Sequence, residues 1–169
     1  MEVREEQAGD AAAIRRINEF AFGRLAEADL IEALRRAGAV AVSLVATDGG
    51  EIVGHILFTP AVVRGPQHEA QAVALGPMAV LPSRQGAGVG SMLAWRGLEV
   101  CRAQGHRVAF VLGDSEFYSR FGFERSDTYG VTCEFNCPAE AFMVFGLTGA
   151  SPVFEQGSVV QYRPEFASV

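Results

Sequence analysis

The segment VLPSRQGAGVGSML, residues 80–93, constrains the fold of this chain more than any other segment. Three glycines stand at alternate positions between an apolar run, residues 72–80, and a stretch whose apolar residues recur at helical spacing. A strand, a glycine-rich loop and a helix in this order present free backbone amides and the positive end of the helix. The segment therefore predicts a strand–loop–helix unit that binds a phosphate.

The flanking sequence predicts one mixed α/β domain over residues 1–169 rather than two domains. Before the loop, apolar periodicity and turn residues predict a strand at 1–5, helices at 10–21 and 26–36, two strands around a turn at 48–50, and a strand at 71–80. After the loop they predict a helix at 88–104, a strand at 107–112, a short helix at 115–123 and further strands. Asp10 is expected to cap the first helix, and alternating apolar residues predict a strand at 129–135.

The charge of the chain argues against several classes of protein. With 20 acidic and 14 basic residues the formal charge is −6, whereas a nucleic-acid-binding protein needs basic surface to neutralise phosphates. No apolar run approaches the roughly 20 residues that span a bilayer, and the acidic start MEVREEQAGD lacks the apolar core of a signal peptide. We therefore expect a cytoplasmic protein with no nucleic-acid or membrane partner.

The cysteines and histidines do not predict a metal site. Cys133 and Cys137 stand at a C-x3-C spacing with no second pair of ligands, and the three histidines are scattered along the chain. We expect reduced thiols and no metal cofactor.

Two familiar phosphate loops fit the glycine segment poorly. A dinucleotide-binding fingerprint also follows a strand and opens a helix, and Asp114 lies near the position of its ribose-binding acid. However, the glycines run G-x-G-x-G, five residues separate them from the strand, and the preceding chain predicts an antiparallel hairpin. A nucleoside triphosphate loop needs a lysine after its glycines, and this chain contains no lysine. The first alternative is disfavoured and the second is excluded.

A third interpretation includes the residue in front of the glycines. Residues 85–90, QGAGVG, resemble the [Q/R]-x-x-G-x-[G/A] loop with which the GCN5-related N-acetyltransferase (GNAT) superfamily binds the pyrophosphate of acetyl-CoA. ALGPMAV, residues 74–80, looks like the fourth strand of that family. EFYSRFGFE, residues 116–124, resembles its F-Y-x-x-x-G-F block, with one helix and one strand between the two motifs. The resemblance covers residues 1–124, and residues 125–169 are expected to add C-terminal strands.

The resemblance implies a central twisted mixed sheet, mostly antiparallel and flanked by helices, with acetyl-CoA as co-substrate. It implies an N-acetyltransferase that acts on a small-molecule or peptide amine, and a homodimer by analogy alone. The residues implied to bind acetyl-CoA are Met78, Ala79, Val80, Arg84, Gln85, Gly86, Ala87, Gly88, Val89, Gly90 and Ser91.

The chemistry of amine acetylation suggests further candidates. A released CoA thiol should titrate near about 8.5, so an acid of higher pKa can protonate it, and the family pattern assigns this role to Tyr118. The family's usual carboxylate base is absent from the fourth strand, which leaves His55 as the candidate base. Glu19 and Asp114 are candidates for lining the acceptor pocket, and each has a structural alternative: a solvated helix-face charge for Glu19 and pantetheine placement for Asp114.

Three other functions remain open at this point. The same fold could use a different acyl-CoA, or transfer to an O-linked acceptor. It could also bind acyl-CoA as a sensor or partner module without turnover, which the missing carboxylate base favours and Tyr118 disfavours. Neither spacing nor composition identifies the acceptor, because acceptor pockets of this fold form from its first helices and later loops.

Overall fold

The computed structural model describes residues 1–169, with four α-helices and nine strands. The helices are α1 (Ala11–Phe22), α2 (Ala26–Arg36), α3 (Val89–Ala103) and α4 (Ser115–Ser119). The strands are β1 (Glu2–Glu5), β2 (Val42–Asp48), β3 (Glu51–Arg64), β4 (Glu69–Val80), β5 (Val108–Leu112), β6 (Glu124–Arg125), β7 (Val131–Cys133), β8 (Phe142–Gly146) and β9 (Ser158–Gln161). None of the helices is both long and apolar enough to span a bilayer.

One mixed sheet organises the molecule, in the order β1-β2-β3-β4-β5-β8-β6. Strands β1 to β4 pair antiparallel, and so do β5, β8 and β6, whereas β4 and β5 are parallel. The parallel pair is possible because α3 carries the chain from the end of β4 back to the start of β5. The last strand, β9, pairs with the far end of β3 and with β7. This architecture confirms the predicted α/β class with a mostly antiparallel sheet.

Helix α3 packs on one face of the sheet and positions the loop that precedes it. Its buried residues share the largest core cluster with Val42, Leu44 and Ala46 of β2 and Val53, Ile56 and Phe58 of β3. Gly97 permits this close approach, since a Cβ there would lie 2.4 Å from the ring of Phe58. The N-terminus of α3 is therefore held rigidly beside the end of β4.

Helices α1 and α2 cover the opposite face. Ile14 of α1 and Leu34 of α2 are fully buried and pack against Val45 and Leu57, which point to the other side of β2 and β3. A third cluster joins β9 and β7 to the lower parts of β3, β4, β5 and β8. The period-two alternation of strand side chains thus supplies a separate core to each face.

Two local expectations are wrong. Asp10 does not cap α1; its carboxylate accepts hydrogen bonds from the Arg4 guanidinium, at 2.7 and 3.1 Å, and from the Gln7 amide, at 2.7 Å. The strand expected at 129–135 is only Val131–Cys133, since Tyr129 ends a short helical turn. Arg4 binds the Asp10 carboxylate, and the sequence pattern does not reveal this partner.

Candidate active site

The centre of the sheet opens where β4 and β5 separate. They pair in parallel at three positions, of which Leu75 opposite Val111 is the last. Beyond it β4 shifts register at Gly76–Pro77 and continues against β3 as far as Val80. The edge of β4 that faced β5 is therefore left without a partner strand.

The unpaired edge presents backbone groups of Met78 and Val80. The Leu81 amide donates to the Val53 carbonyl at 2.9 Å, so Leu81 and, two residues earlier, Ala79 turn their backbone groups towards β3. Met78 and Val80 alternate with them and turn theirs into the gap. The Gln85 side-chain amide donates to the Val80 carbonyl at 3.1 Å, which ties the glycine loop to this edge.

The glycine loop brings a helix N-terminus to the same edge. Gly86 and Gly88 have φ angles of +76° and +83°, a region that L side chains rarely adopt, and α3 starts at Val89. The first helical hydrogen bond runs from the Met92 amide to the Gly88 carbonyl, so the amides of residues 89–91 have no helical partner. These amides and the helix dipole are suited to an anion.

A cavity of about 570 Å³, here called the donor cavity, lies over these groups. It is lined by Ala21, Phe22, Met78, Ala79, Val80, Arg84, Gln85, Gly86, Gly88, Val89, Gly90, Ser91, Phe117 and Arg120. The structure thus brings together the residues predicted for acetyl-CoA binding, with the exception of Ala87, which is exposed and lies outside the lining.

The donor cavity contains two arginines in different situations. Arg84 donates to Asp48 at 2.6 Å, so its charge is already paired with the hairpin between β2 and β3. Arg120 lies over the ring of Phe117, with 4.6 Å between guanidinium carbon and ring centroid, and makes no ion pair. Sequence reasoning missed Arg120 although it stands inside the FYSRFGF block, because an arginine in a helical turn is usually a solvated surface charge.

A second cavity of about 860 Å³, here called the acceptor cavity, lies on the other side of the gap. It is lined by Phe22, Arg24, Glu27, Leu30, Leu75, Gly76, Pro77, Met78, Leu112, Gly113, Asp114, Phe117, Tyr118, Phe135, Asn136, Tyr162, Phe166 and Val169. Phe22, Met78 and Phe117 line both cavities, so the two meet at the separation of the strands.

Tyr118 lines the acceptor cavity beside Phe117, one of the three side chains that line both cavities. Its side chain is 8% exposed and packs edge to face against Phe117 and Phe123, with ring centroids 5.0 and 5.7 Å apart. Burial, with a smaller contribution from the charge of Asp114, raises the pKa of Tyr118 to about 12. The phenol therefore keeps its proton at neutral pH and can donate it.

Asp114 lies in the acceptor cavity, as predicted for a substrate residue, and Glu19 does not. The Asp114 carboxylate accepts from the Glu116 amide at 2.9 Å and so caps α4. Glu19 is on α1 and forms an ion pair with Arg15 at 2.8 Å, outside both cavities. Arg15 also pairs with Asp29 and Glu32 of α2, so Glu19 belongs to an ion-pair network on the outer surface of α1 and α2.

His55 lies apart from the other predicted residues. It is fully buried between the sheet and α2, and its Nε2 is 2.9 Å from the Ser43 hydroxyl, which in turn donates to Glu6. Burial, and to a lesser extent the nearby charge of Arg35, lowers the pKa of His55 to about 3. His55 lines neither cavity.

The wall of the acceptor cavity includes residues that sequence reasoning did not single out. Phe135 and Asn136 follow β7, whereas Tyr162, Phe166 and Val169 follow β9. The Tyr162 hydroxyl is buried without a hydrogen-bond partner. No local motif marks these residues, because they reach the cavity only through the pairing of β9 with β3.

Comparison with known proteins identifies close relatives by sequence. Residues 2–126 match the family model of the acetyltransferase (GNAT) domain. The chain is 43% identical over 117 residues to a protein of Escherichia coli K12 named uncharacterized N-acetyltransferase YjhQ, a match that covers 68% of this chain and 65% of the relative, just under two thirds of its length. It is 34% identical over 148 residues to the uncharacterized N-acetyltransferase YhbS of the same strain, a match that covers 87% of both chains.

Solved structures agree with the sequence matches. The crystal structure of YhbS from Escherichia coli in complex with CoA has a TM-score of 0.87 and 32% identity, covering 98% of this chain and 91% of that one. A GNAT family acetyltransferase from Brucella melitensis in complex with acetyl-CoA has a TM-score of 0.80 and 35% identity, covering 98% and 97%. The resemblance inferred from the glycine loop is confirmed, and the chain belongs to the GNAT family of acetyltransferases.

Proposed function

We propose that this protein transfers the acetyl group of acetyl-CoA directly to an amine, with both substrates bound at once. The observation that carries the proposal is the gap beside β4, where the backbone groups of Met78 and the amide of Val80 have no partner strand and Met78 lines both cavities. Two similar proteins have been crystallised with CoA or acetyl-CoA, which supports this choice of donor.

The donor cavity supplies each contact that an acyl-CoA needs. The amides of residues 89–91 and the N-terminus of α3 bind the pyrophosphate, and the absence of side chains at Gly86 and Gly88 allows close approach. The Met78 carbonyl and the Val80 amide, which have no partner strand, pair with the pantetheine amides as a short extra strand would. Arg84 is paired with Asp48, so Arg120 supplies the positive charge for the pyrophosphate.

Transfer begins with attack of the amine nitrogen on the thioester carbon. The Met78 amide points into the gap and hydrogen-bonds the carbonyl oxygen as it gains negative charge. The nitrogen then loses a proton to water as the C–S bond breaks, the Tyr118 hydroxyl donates its proton to the leaving sulfur, and water passes the proton from the nitrogen to the phenolate. A phenol with a pKa near 12 is protonated throughout the neutral range, so this step needs no auxiliary acid.

The acceptor must lose a proton before it attacks, because an alkylamine of pKa about 10.4 is almost entirely charged at neutral pH. His55 is buried away from the cavities, so we leave it out of the mechanism. In the proposal the ammonium releases its proton to water in the acceptor cavity. The absence of an imidazole from the cavity lining also favours the alternative, an acyl-CoA-binding module without turnover.

Measuring CoA thiol release separates the two functions. The protein is mixed with acetyl-CoA and a panel of primary amines, and the binding of CoA is measured in parallel by calorimetry. Amine-dependent thiol release above the rate of hydrolysis is expected. Tight CoA binding with no amine-dependent release on any acceptor would support the binding module, and absence of CoA binding would overturn both.

A further inference from the structure

We infer that the acceptor cavity takes a primary amine with a flat aromatic body and no carboxylate next to the amine, a class that includes 2-phenylethylamine. This inference rests on the proposed function and adds the chemical class of its acceptor. Three observations carry it: the composition of the cavity wall, the pairing of its charges, and the position of its one free carboxylate.

Aromatic residues make up six of the 18 residues that line the cavity. They are contributed by separate segments of the chain: Phe22, Phe117, Tyr118, Phe135, Tyr162 and Phe166. The last three form a continuous surface, with centroids 5.3 Å apart between Phe135 and Tyr162 and 5.1 Å apart between Tyr162 and Phe166, both pairs edge to face. Rings in this arrangement present faces and edges that a planar aromatic group can match.

The charges of the lining residues are not equivalent. Glu27 is 5% exposed, and its carboxylate accepts from the Arg24 guanidinium at both oxygens, at 3.0 Å each. Arg24 is the only cation in the lining, and this bidentate contact occupies it. Asp114 makes no ion pair, so the cavity has one unpaired charge and that charge is negative.

The free carboxylate stands near the reacting end of the cavity. Asp114 caps the helix that carries Tyr118, and the Tyr118 amide donates to the Asp114 carbonyl at 3.0 Å. Asp114 and Tyr118 stand four residues apart, at the start and on the body of the same short helix, and line the same cavity. An ammonium attracted by Asp114 therefore arrives beside Met78 and Tyr118, with its apolar body against the aromatic wall.

The same features disfavour other amines. A carboxylate next to the amine, as in an amino acid, would be repelled by Asp114 and would find Arg24 already occupied. A polyamine carries further charges along its length, and beyond Asp114 the wall offers them only paired groups and aromatic rings. A short alkylamine leaves the rings uncovered.

Four acceptors test the inference through kcat/KM for thiol release: 2-phenylethylamine, L-phenylalanine, propylamine and spermidine. The first two differ only by a carboxylate, and the first and third differ in the ring. We expect 2-phenylethylamine to exceed each of the others by about tenfold or more. Preference for L-phenylalanine, propylamine or spermidine would overturn the inference while leaving the proposed acetyl transfer standing.

Matched variants assign the preference to the wall. Phe135→Ala should lower kcat/KM for 2-phenylethylamine by about tenfold. The control is Phe20→Ala, which removes a ring that is 60% exposed and lines neither cavity. If the two variants lose activity equally, the aromatic wall does not select the acceptor.

Asp114→Asn keeps a capping side chain and removes the charge. Because Asp114 is exposed to solvent, we expect KM for 2-phenylethylamine to rise only about three- to fivefold, with KM for acetyl-CoA unchanged. Glu116→Gln removes a charge from the same helix outside the cavity and should change neither constant. An equal effect of the two substitutions would overturn the role of Asp114. If no amine releases thiol although CoA binds, the proposed function fails and the inference fails with it.

Discussion

The donor and acceptor cavities meet at three side chains but are built in different ways. Most of the donor cavity comes from one continuous run of chain, residues 78–91, and its important groups are backbone amides. The acceptor cavity collects side chains from segments that begin at Phe22 and end at Val169, and its important features are rings and one free charge. Under the proposed function, local backbone geometry recognises the donor, and side chains assembled from distant segments recognise the acceptor.

This difference predicts different effects for substitutions in the two cavities. A change in the donor cavity should act through the backbone and alter the affinity for CoA. A change on the acceptor side should alter turnover or acceptor preference and leave the affinity for CoA intact. A donor-cavity substitution that alters acceptor preference, or an acceptor-side substitution that alters the affinity for CoA, would contradict this comparison.

The largest effect is expected for Tyr118→Phe. The substitution keeps the ring packed against Phe117 and Phe123 and removes the proton that the leaving sulfur receives. We expect kcat to fall on the order of 100-fold, with the Kd of CoA within about twofold of the original. Steady-state kinetics and calorimetry measure the two quantities. The control is Tyr129→Phe, which removes a hydroxyl bound to Glu124 at 2.9 Å outside both cavities; equal kcat values for all three proteins would remove Tyr118 from the mechanism.

Gly88→Val should give the next largest effect. The new side chain enters a backbone position at φ +83° and lies against the bound phosphates, so the Kd of CoA should rise by about 30-fold. Gly149→Val imposes the same strain at φ +84° on an exposed turn outside both cavities. CoA affinity that is lost equally in both variants would show that strain, rather than contact with the phosphates, is responsible.

The third prediction concerns His55 and sharpens the boundary of the acceptor site. The folded state holds the pKa of His55 near 3, whereas an unfolded histidine titrates near about 6.5. Below pH 6.5 the unfolded chain therefore binds a proton that the folded chain excludes. The contribution of His55 to the free energy of unfolding is fully present above pH 6.5 and is lost as the pH falls towards 3.

Between pH 7.5 and 5.5 this linkage should lower the free energy of unfolding by about 1.4 kcal/mol, a factor of about ten in the equilibrium constant. Urea denaturation of the original protein and of His55→Gln at both pH values measures it, since the glutamine does not titrate and should lack this contribution. The variant should keep its turnover at pH 7.5. A large loss of kcat in His55→Gln would return His55 to the mechanism.

The sequence was most informative where structure depends on short-range chemistry. The hairpin around Gly49 and Gly50, both at positive φ, the limits of α3 and the glycine loop follow from residues adjacent in the chain. For the same reason the part of the donor cavity that comes from residues 78–91 could be predicted, except that Ala87 lies outside it, whereas Ala21, Phe22, Phe117 and Arg120 were not predicted to line it.

The acceptor side could not be predicted in this way. His55 and Glu19 were plausible from residue type, but which face of a strand or helix reaches a cavity depends on packing against distant elements. Asp10 pairs with Arg4 instead of capping α1 for a related reason, as a tertiary partner outcompeted the local one. The aromatic wall after β7 and β9 depends on strand pairings between residues about one hundred positions apart, such as Val63 with Val160.

The three side chains shared by the cavities have a consequence for the order of events. Under the proposed function, a ligand in either cavity would contact Phe22, Met78 and Phe117, so the side-chain positions that one substrate favours would affect the binding of the other. Thermodynamic reciprocity then requires that any factor by which the donor changes acceptor affinity be returned, unchanged, by the acceptor to the donor. The affinities for the donor and for the acceptor would then be coupled, and neither would depend on its own cavity alone.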